Sequence, residues 1–533
     1  MNDQPDVGRG KLPLRLRVGV SGHRDITASF PDLEHVLGYA CQRIIRARDA
    51  IATASTPTGL SMVSSLAEGA DRLVVAAMAK AYSQHPDACQ LEAILPLEQA
   101  SYDADFLSAG SKREFGELLA SAAVKEVVAP TASRDDAYQS AGEAVVDRSD
   151  VMVFIWDGQP ARGRGGTADI FAYAQQRKKP IFWIRTEEGR AELALEPRAP
   201  VAPLQPVAAK HLDRYNKESM PTAAAVNEKP LLRGLSTIGL DGAAELCEHV
   251  SCYFARADAI ANGLQRRWFW LTRLLYAFAA VAVAIVATQV IYEPRHERYA
   301  WFEFGVLLCV TALLLLARFS AWHDRWISSR YLAERIRSLV FLGLAGVSVT
   351  HDSLLSFSDS RGGDDGSWID RAVDEVWWSR PTYIPQNFQV TRAVLESQWI
   401  ADQLHYHIRT SRNYEDRSKR FIWIAITLFA ISAVAALIHS TGVAQAHSLW
   451  SFLSIVVPAV GAALSGYSAQ RDYARHSERS RLFAISLDQA RSQLARAVNL
   501  RDIQQVALTV ATLMRGEASD WYSTVRLQDI EPP

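Results

Sequence analysis

Three patterns set the fold class. Short strand-like runs alternate with helical patterns in the first half of the chain, polar glycine-containing motifs sit at the ends of those strands, and four long apolar runs crowd the second half. Together they predict an α/β class: a Rossmann-like parallel sheet domain followed by an all-α membrane domain with four transmembrane helices. The 533 residues allow two or three domains. The formal charge of -1 offers no global field for nucleic acid, and none is expected as a partner.

The strands come first. Leu14–Val20, Gly59–Ser64, Leu91–Leu95, Glu126–Ala129, Val151–Ile155 and Pro180–Ile184 read as strands, with helices over Arg72–Ala81 and Ala168–Arg177. Strands that alternate with helices pair in parallel, and ligands then bind at the carboxyl ends of the strands. The candidate ligand-binding residues all follow strand ends. They are Ser21, Gly22, His23 and Arg24; Ser65, Leu66, Glu68, Gly69, Asp71 and Arg72; Asp157 and Gly158; and Gly165, Gly166 and Thr167, in the Gly163–Thr167 turn that opens a helix. Glycines let backbone approach a phosphate, and the free N–H groups of a helix start bind the anion. Arg24 or Arg72 would add two-pronged charge, Thr167 a hydroxyl, and Asp157 an acceptor for a ribose or base. Each glycine read alone merely makes a turn; three glycine-containing motifs at strand ends favour a shared site. His23 would contact a phosphate or simply hold its turn.

The apolar runs are Leu274–Ile291, Phe304–Ala317, Phe421–Ile438 and Leu449–Tyr467. A bilayer-crossing helix needs about 20 apolar residues. The second run reaches that length only with Tyr299–Glu303 in the headgroup zone. Any one run would suit a buried helix of a soluble protein; four in two close pairs do not. Arg266, Arg267, Arg273, Lys419 and Arg420 precede the first and third runs, and Arg471 and Arg475 follow the fourth, while Ser440–Ser448 carries no Lys or Arg. This distribution puts both termini in the cytoplasm, and the polar Met1–Lys11 lacks a signal-peptide core. Trp268, Trp270, Trp301, Trp322, Trp423 and Trp450 lie near the run ends, where indoles bridge lipid and water. Each pair continues into a charged helical stretch, so the pairs read as a repeat with cytoplasmic stalks. Small residues in the fourth run, Gly461 and Gly466 among them, suit close helix packing. No ionisable relay lies inside the runs, against a pump.

The remaining signals are weaker. Cys41, Cys89, Cys247, Cys252 and Cys309 have no metal-ligand spacing and read as reduced thiols. His405 and His407 point different ways on a helix, so no metal site is expected. The domains read as 1–190 for the sheet, 191–240 for a linker centred on the proline-rich Leu195–Ala209, 241–345 for the first two-helix unit with its stalk, 346–390 for a mobile or partner-facing cytoplasmic insertion around Ser356–Ser367, and 391–533 for the second unit.

The Ser21–Arg24 motif, the Ser64–Asp71 segment, and Asp147–Asp150 leading to Asp157–Gly158 and Gly165–Thr167 together resemble the SLOG superfamily, the Rossmann-like group that includes Smf DNA-processing proteins and LOG nucleotide hydrolases. The resemblance covers roughly the first 190 residues. The membrane half resembles SLATT two-helix effectors. The resemblance implies a sensor of a nucleotide or NAD-derived ligand joined to a pore-forming effector in bacterial antiviral defence. LOG hydrolases carry a glutamate three residues after the threonine of the glycine-rich turn. Here that position is Ile170, with Asp169 one residue away and rotated by about 100° on a helix. Ser65 stands where related sequences often have glycine. These departures point to binding without turnover, with no catalytic residue assigned, and Glu68 and Asp71 leave little room for catalysis. The expectation is a multi-pass inner-membrane homo-oligomer without a bound cofactor, whose nucleotide-type ligand shifts the membrane helices. A membrane-anchored nucleotide or N-glycoside hydrolase is the alternative, and a ligand-free anchored scaffold the third reading.

Overall fold

The structure, a computed structural model, describes residues 10–26, 30, 32–85, 87, 89–106, 108–128, 133–160, 165–187, 189–198, 201–204, 206–219, 242–295, 298–347, 367–381, 383–441 and 447–526. Gly163, Arg164, Ala129 and residues 356–366 of the expected insertion lie outside them. The chain forms two compact units. One takes in 8–219 and 348–381, the other 220–347 and 382–533 together with 1–7.

The first unit is built on seven strands: β1 Leu14–Gly22, β2 Thr58–Ser64, β3 Gln90–Leu95, β4 Val124–Val127, β5 Val151–Trp156, β6 Ile181–Glu187 and β7 Arg190–Leu195. They lie in the order β4-β3-β2-β1-β5-β6-β7, parallel except for β7. Every residue of β5 is buried, as a strand covered on both faces requires. Leu16, Val18, Val20, Leu60 and Met62 face helices α1 (Leu33–Ile51) and α2 (Ala70–Tyr82). Val63, Met152 and Phe154 face α5 (Arg134–Arg148) and α6 (Thr167–Gln176). Two short helices, α3 Gln99–Asp103 and α4 Ala109–Ser121, join β3 to β4.

Two elements differ from the sequence reading. The stretch taken as a linker supplies the antiparallel edge strand β7 and the helix α7, Pro206–Lys217. Pro206 sits at the first helical position, where its missing N–H is no loss. Asn216 on α7 ties that helix to β1 by accepting from the Leu12 amide at 2.9 Å and donating to the Leu12 carbonyl at 2.9 Å.

The second is helix α11, Ser367–Trp378, within the expected insertion, which packs in the sheet unit. Its Glu375 is fully buried and accepts from both terminal nitrogens of Arg17, at 2.8 and 3.0 Å. Arg17 also meets Glu92 at 3.1 Å, and Glu92 meets Arg148 at 2.6 Å. Arg371 closes the network on Asp150 at 2.8 Å. Burial alone would lower the Arg17 guanidinium's affinity for its proton, but Glu375 and Glu92 hold it above its ordinary value. Burial would likewise raise Glu92, yet Arg148 and Arg17 hold it down at about 2. Arg15 also reaches Glu375 at 3.7 Å and Glu126 reaches Arg148 at 3.1 Å, so four arginines balance four acids around the buried Arg17 and Arg148, which is the condition under which buried charge is tolerated.

The second unit is helical. Four helices are long and apolar enough to cross a membrane, consistent with a multi-pass membrane protein. They are α8 (Ala243–Tyr292), α9 (Arg298–Ser320), α13 (Ala401–Thr441, continuing from α12, Phe388–Val394, through a π turn) and α14 (His447–Arg471). None of the residues of α9 is buried. An apolar helix left bare by its own chain is what lipid, not a soluble core, would cover. At 23 residues α9 is about 34 Å long, enough to span. The 50 residues of α8 make about 75 Å, so lead-in and span are one continuous helix.

The repeat expected from the sequence has a structural counterpart. Each returning helix ends in a single left-handed residue, Ala321 (φ 48°) after α9 and Asp472 (φ 43°) after α14. A new helix follows each: α10, Trp322–Leu344, and α15, Tyr473–Arg496. A final helix, α16, covers Leu500–Arg526. The small residues of α14 serve packing within the chain. Gly461 lies against Leu428 and Phe429, and a Cβ on Gly466 would stand 2.8 Å from Tyr276. Pro458 inside α14 frees the Ser454 carbonyl, which accepts instead from the Ser432 hydroxyl of α13 at 3.3 Å.

Candidate functional site

In this strand order the chain leaves β1 toward β2 on one side and returns through β5 on the other, so the switch point lies between β1 and β5. An open α/β sheet parts its loops there and leaves a crevice. A cleft of about 360 Å³ occupies the position. Ser21, Gly22, His23 and Arg24 reach it from the end of β1, Ser65 and Asp71 from the loop and helix after β2, Asp157 from the end of β5, and Gly165, Gly166 and Thr167 from the start of α6.

The β1 and β2 loops touch directly. The Ala70 amide donates to the His23 carbonyl at 3.0 Å. Gly69, at φ +78°, makes this approach: a Cβ there would sit 2.3 Å from the Arg24 carbonyl oxygen. Leu66 also holds a left-handed conformation (φ 58°), uncommon for a residue with a side chain. It is kept there by the Ser64 hydroxyl, which accepts from its amide at 2.9 Å, and by Arg72, which donates to its carbonyl at 3.1 Å. Arg72 is therefore spent on the fold. Its guanidinium also donates to Ser111 at 2.8 Å, pairs with Glu114 at 3.0 Å and lies over the Phe106 ring. Leu66, Glu68, Gly69, Arg72 and Gly158 do not line the cleft; Leu66 is fully buried, and Gly158 lies beside the Trp183 ring.

His23 Nε2 stands 3.3 Å from Asp157 Oδ1, and that oxygen also accepts from the Gln159 amide at 2.9 Å. Asp71 is buried beneath the loop. Its carboxylate accepts from the Ser64 hydroxyl at 2.8 Å and from the Ala67 amide at 3.4 Å, and burial pushes it up to about 6. At the start of α6, Asp169 accepts from the Gly165 amide at 3.1 Å. It caps its own helix and does not line the cleft. Ile170 fills the core beside Gly142 with 2 % exposure, so the position three after Thr167 presents methyl groups and no acid. The amides of Gly166, Thr167 and Ala168 precede the first helical hydrogen bonds, which run from Asp169 and Ile170 to the Gly166 carbonyl.

Sequence reasoning missed the walls. Tyr102 comes from α3, Tyr138 and Gly142 from α5, and Trp156, Gln159 and Pro160 from the end of β5. Arg24 lies over the Tyr138 ring at 5.1 Å. No family model matches the chain, and no curated protein is significantly similar to it. The chemistry of the cleft is therefore read from its own residues. Helix-start amides and Arg24 suit an anionic group, aromatic rings suit a flat base, and the carboxylates of Asp71 and Asp157 suit hydroxyl or amine donors.

No metal-binding group of three His, Cys, Asp or Glu occurs among the described residues. His405 is exposed and His407 buried, so they face apart on α13. None of the five cysteines is in a disulfide; Cys41 and Cys247 are buried, and burial pushes both thiols up to about 12.

Proposed function

We propose that this chain is a membrane-bound sensor–effector. Its Rossmann-like domain lies in the cytoplasm, binds a nucleotide or NAD-derived ligand in the β1–β5 cleft, and alters the packing of four transmembrane helices in the inner membrane. Both termini are cytoplasmic and the active form is a homo-oligomer, because a pore needs helices arranged around an axis. The resemblance to SLOG sensors and SLATT effectors suggests a role in bacterial antiviral defence. The observation that carries the reading is the meeting of the β1, β2 and β5 loops with the start of α6 at one cleft, in a chain that also holds four apolar helices. Chain connectivity supports coupling. The sheet unit joins the helical unit before α8, and again on either side of α11, between the two helix pairs.

Binding without hydrolysis is favoured by Ile170, which leaves no carboxylate where the LOG hydrolases have theirs. The test is a thermal-shift panel of nucleoside phosphates and NAD derivatives on the full chain in detergent, with released base measured in parallel. The sensor reading expects a saturable shift with intact ligand. Released base would instead support a membrane-anchored hydrolase, and no shift with any member of the panel would leave an anchored scaffold.

A further inference from the structure

The helical unit contains a second cavity, of about 370 Å³, enclosed by α8, α10, α13, α15 and α16 and bordered by the last turn of α14. It lies where the apolar stretches end. Trp268 and Phe269 precede the first apolar run, and Arg471 closes the last helix of the second pair. The two left-handed breaks, Ala321 and Asp472, each lie within two residues of its lining.

Its charges are unevenly committed. Glu334 is held by Arg330 at 2.7 Å and Arg337 at 2.9 Å, and Glu517 by Arg479 at 3.3 Å. Both acids that line the cavity are thus engaged. Arg471 has no carboxylate partner among the described residues. Its guanidinium lies 3.5 Å over the Phe269 ring and donates to the Tyr473 hydroxyl at 3.4 Å. The second terminal nitrogen of Arg479 and Nδ1 of His407 are buried with no hydrogen-bond partner. His407 is 6 % exposed, and unmet polar atoms at such depth are costly unless something arrives to meet them. Burial pushes His407 down to about 4, so its ring is neutral, and the cationic surplus is that of Arg471 and Arg479 beside aromatic rings, Trp268, Trp326 and Trp521 among them.

We propose that this cavity is a second ligand site, which takes a phosphate-bearing molecule. The phosphate meets Arg471 and the free nitrogen of Arg479, and the apolar part lies on the indole walls. Two sources supply that chemistry: the headgroup of an anionic phospholipid or a soluble phosphate. A ligand here would bridge α8, α14 and α15, which places it beside the break that separates span from stalk in the second pair. No residue lines both this cavity and the sheet cleft.

The test is a thermal-unfolding titration of the full chain in detergent with phosphatidylglycerol, phosphatidylcholine and inorganic phosphate in separate arms. Wild type should gain a saturable rise in unfolding temperature. A rise with phosphatidylglycerol alone assigns the lipid source, and a rise with inorganic phosphate as well assigns the soluble one. Arg471→Gln should need about tenfold more ligand for the same rise, the loss expected from one charge-assisted contact. Arg420→Gln, an exposed basic residue, should behave as wild type. Should Arg471→Gln fail to fold, Arg471→Lys, which keeps the charge and loses the two-pronged geometry, is read in the same titration and should bind several-fold more weakly. No rise with either phosphate compound, an equal rise with phosphatidylcholine, or an unchanged titration in the folded Arg471 variant overturns the proposal.

Discussion

Glu375→Gln removes one negative charge from the balanced network beneath α11. Glu375 is fully buried and receives three hydrogen bonds from arginine side chains, two from Arg17 and one from Arg371 at 3.1 Å, and a fourth from the Arg15 backbone amide at 3.2 Å. The glutamine keeps the shape but leaves Arg17 and Arg371 with only Glu92 and Asp150, and one positive charge in excess away from water. Breaking a buried pair in this way costs about 3–5 kcal/mol. The lower figure is about a hundredfold in the opening equilibrium of α11. Amide hydrogen exchange on the full chain in detergent reads that quantity directly. Peptides covering Ser367–Trp378 and Leu14–Gly22 should exchange about a hundredfold faster, while α10 and α16 stay unchanged. The double variant Arg17→Met with Glu375→Met removes both charges and should recover most of the protection, since an apolar pair of similar volume replaces buried ions at little cost. Wild-type exchange in Glu375→Gln would refute the claim that the network docks this helix.

Other outcomes follow from the same geometry. Gly69→Ala forces a methyl group to within 2.3 Å of the Arg24 carbonyl oxygen at a backbone angle of +78°, and should destabilise the sheet unit by about 1–3 kcal/mol in thermal unfolding. Asp71 binds its proton more tightly folded (about 6) than unfolded (3.8), so stability should fall as pH rises through that window. Asp71→Asn should abolish the pH dependence and stabilise the protein above pH 6 by up to about 3 kcal/mol. Glu92 shows the opposite sign. Its depressed value of about 2 against a usual 4.5 contributes stability above pH 4.5 that is lost as pH falls toward 2, and acid titration of Glu92→Gln should lack that component.

The parallel strands were legible because β-branched runs bounded by polar glycine motifs leave a strong local signal, and five of the six expected strands lie within about two residues of their observed bounds. The site's loops were legible for the same reason, since strand ends fix where a ligand can sit. The elements that escaped depend on distant partners. β7 carries alternating charges on an edge, and α7 begins at the last of four prolines, so both read locally as linker. The Trp377–Trp378 pair of α11 read as a mobile insertion. It is buried because Glu375 meets Arg17, 358 residues earlier in the chain, and no local pattern announces such a pairing. Tyr102 and Tyr138 were missed as cleft walls because they stand on helices with no motif of their own. Arg72, one of the two arginines offered as an anion donor, holds Leu66, Ser111 and Glu114, a commitment that appears only in three dimensions.

Gly166→Asp is the sharpest probe of the central claim. Gly166 has an ordinary backbone (φ -69°) at the N-cap of α6, where aspartate is a favoured residue, so the helix should keep its stability while a carboxylate takes the amides meant for the ligand. Mass spectrometry of small molecules retained by the full chain from phage-challenged cells should find a nucleotide or NAD derivative on wild type and none on the variant. The same molecule on both proteins in equal amount would contradict the assignment of the cleft.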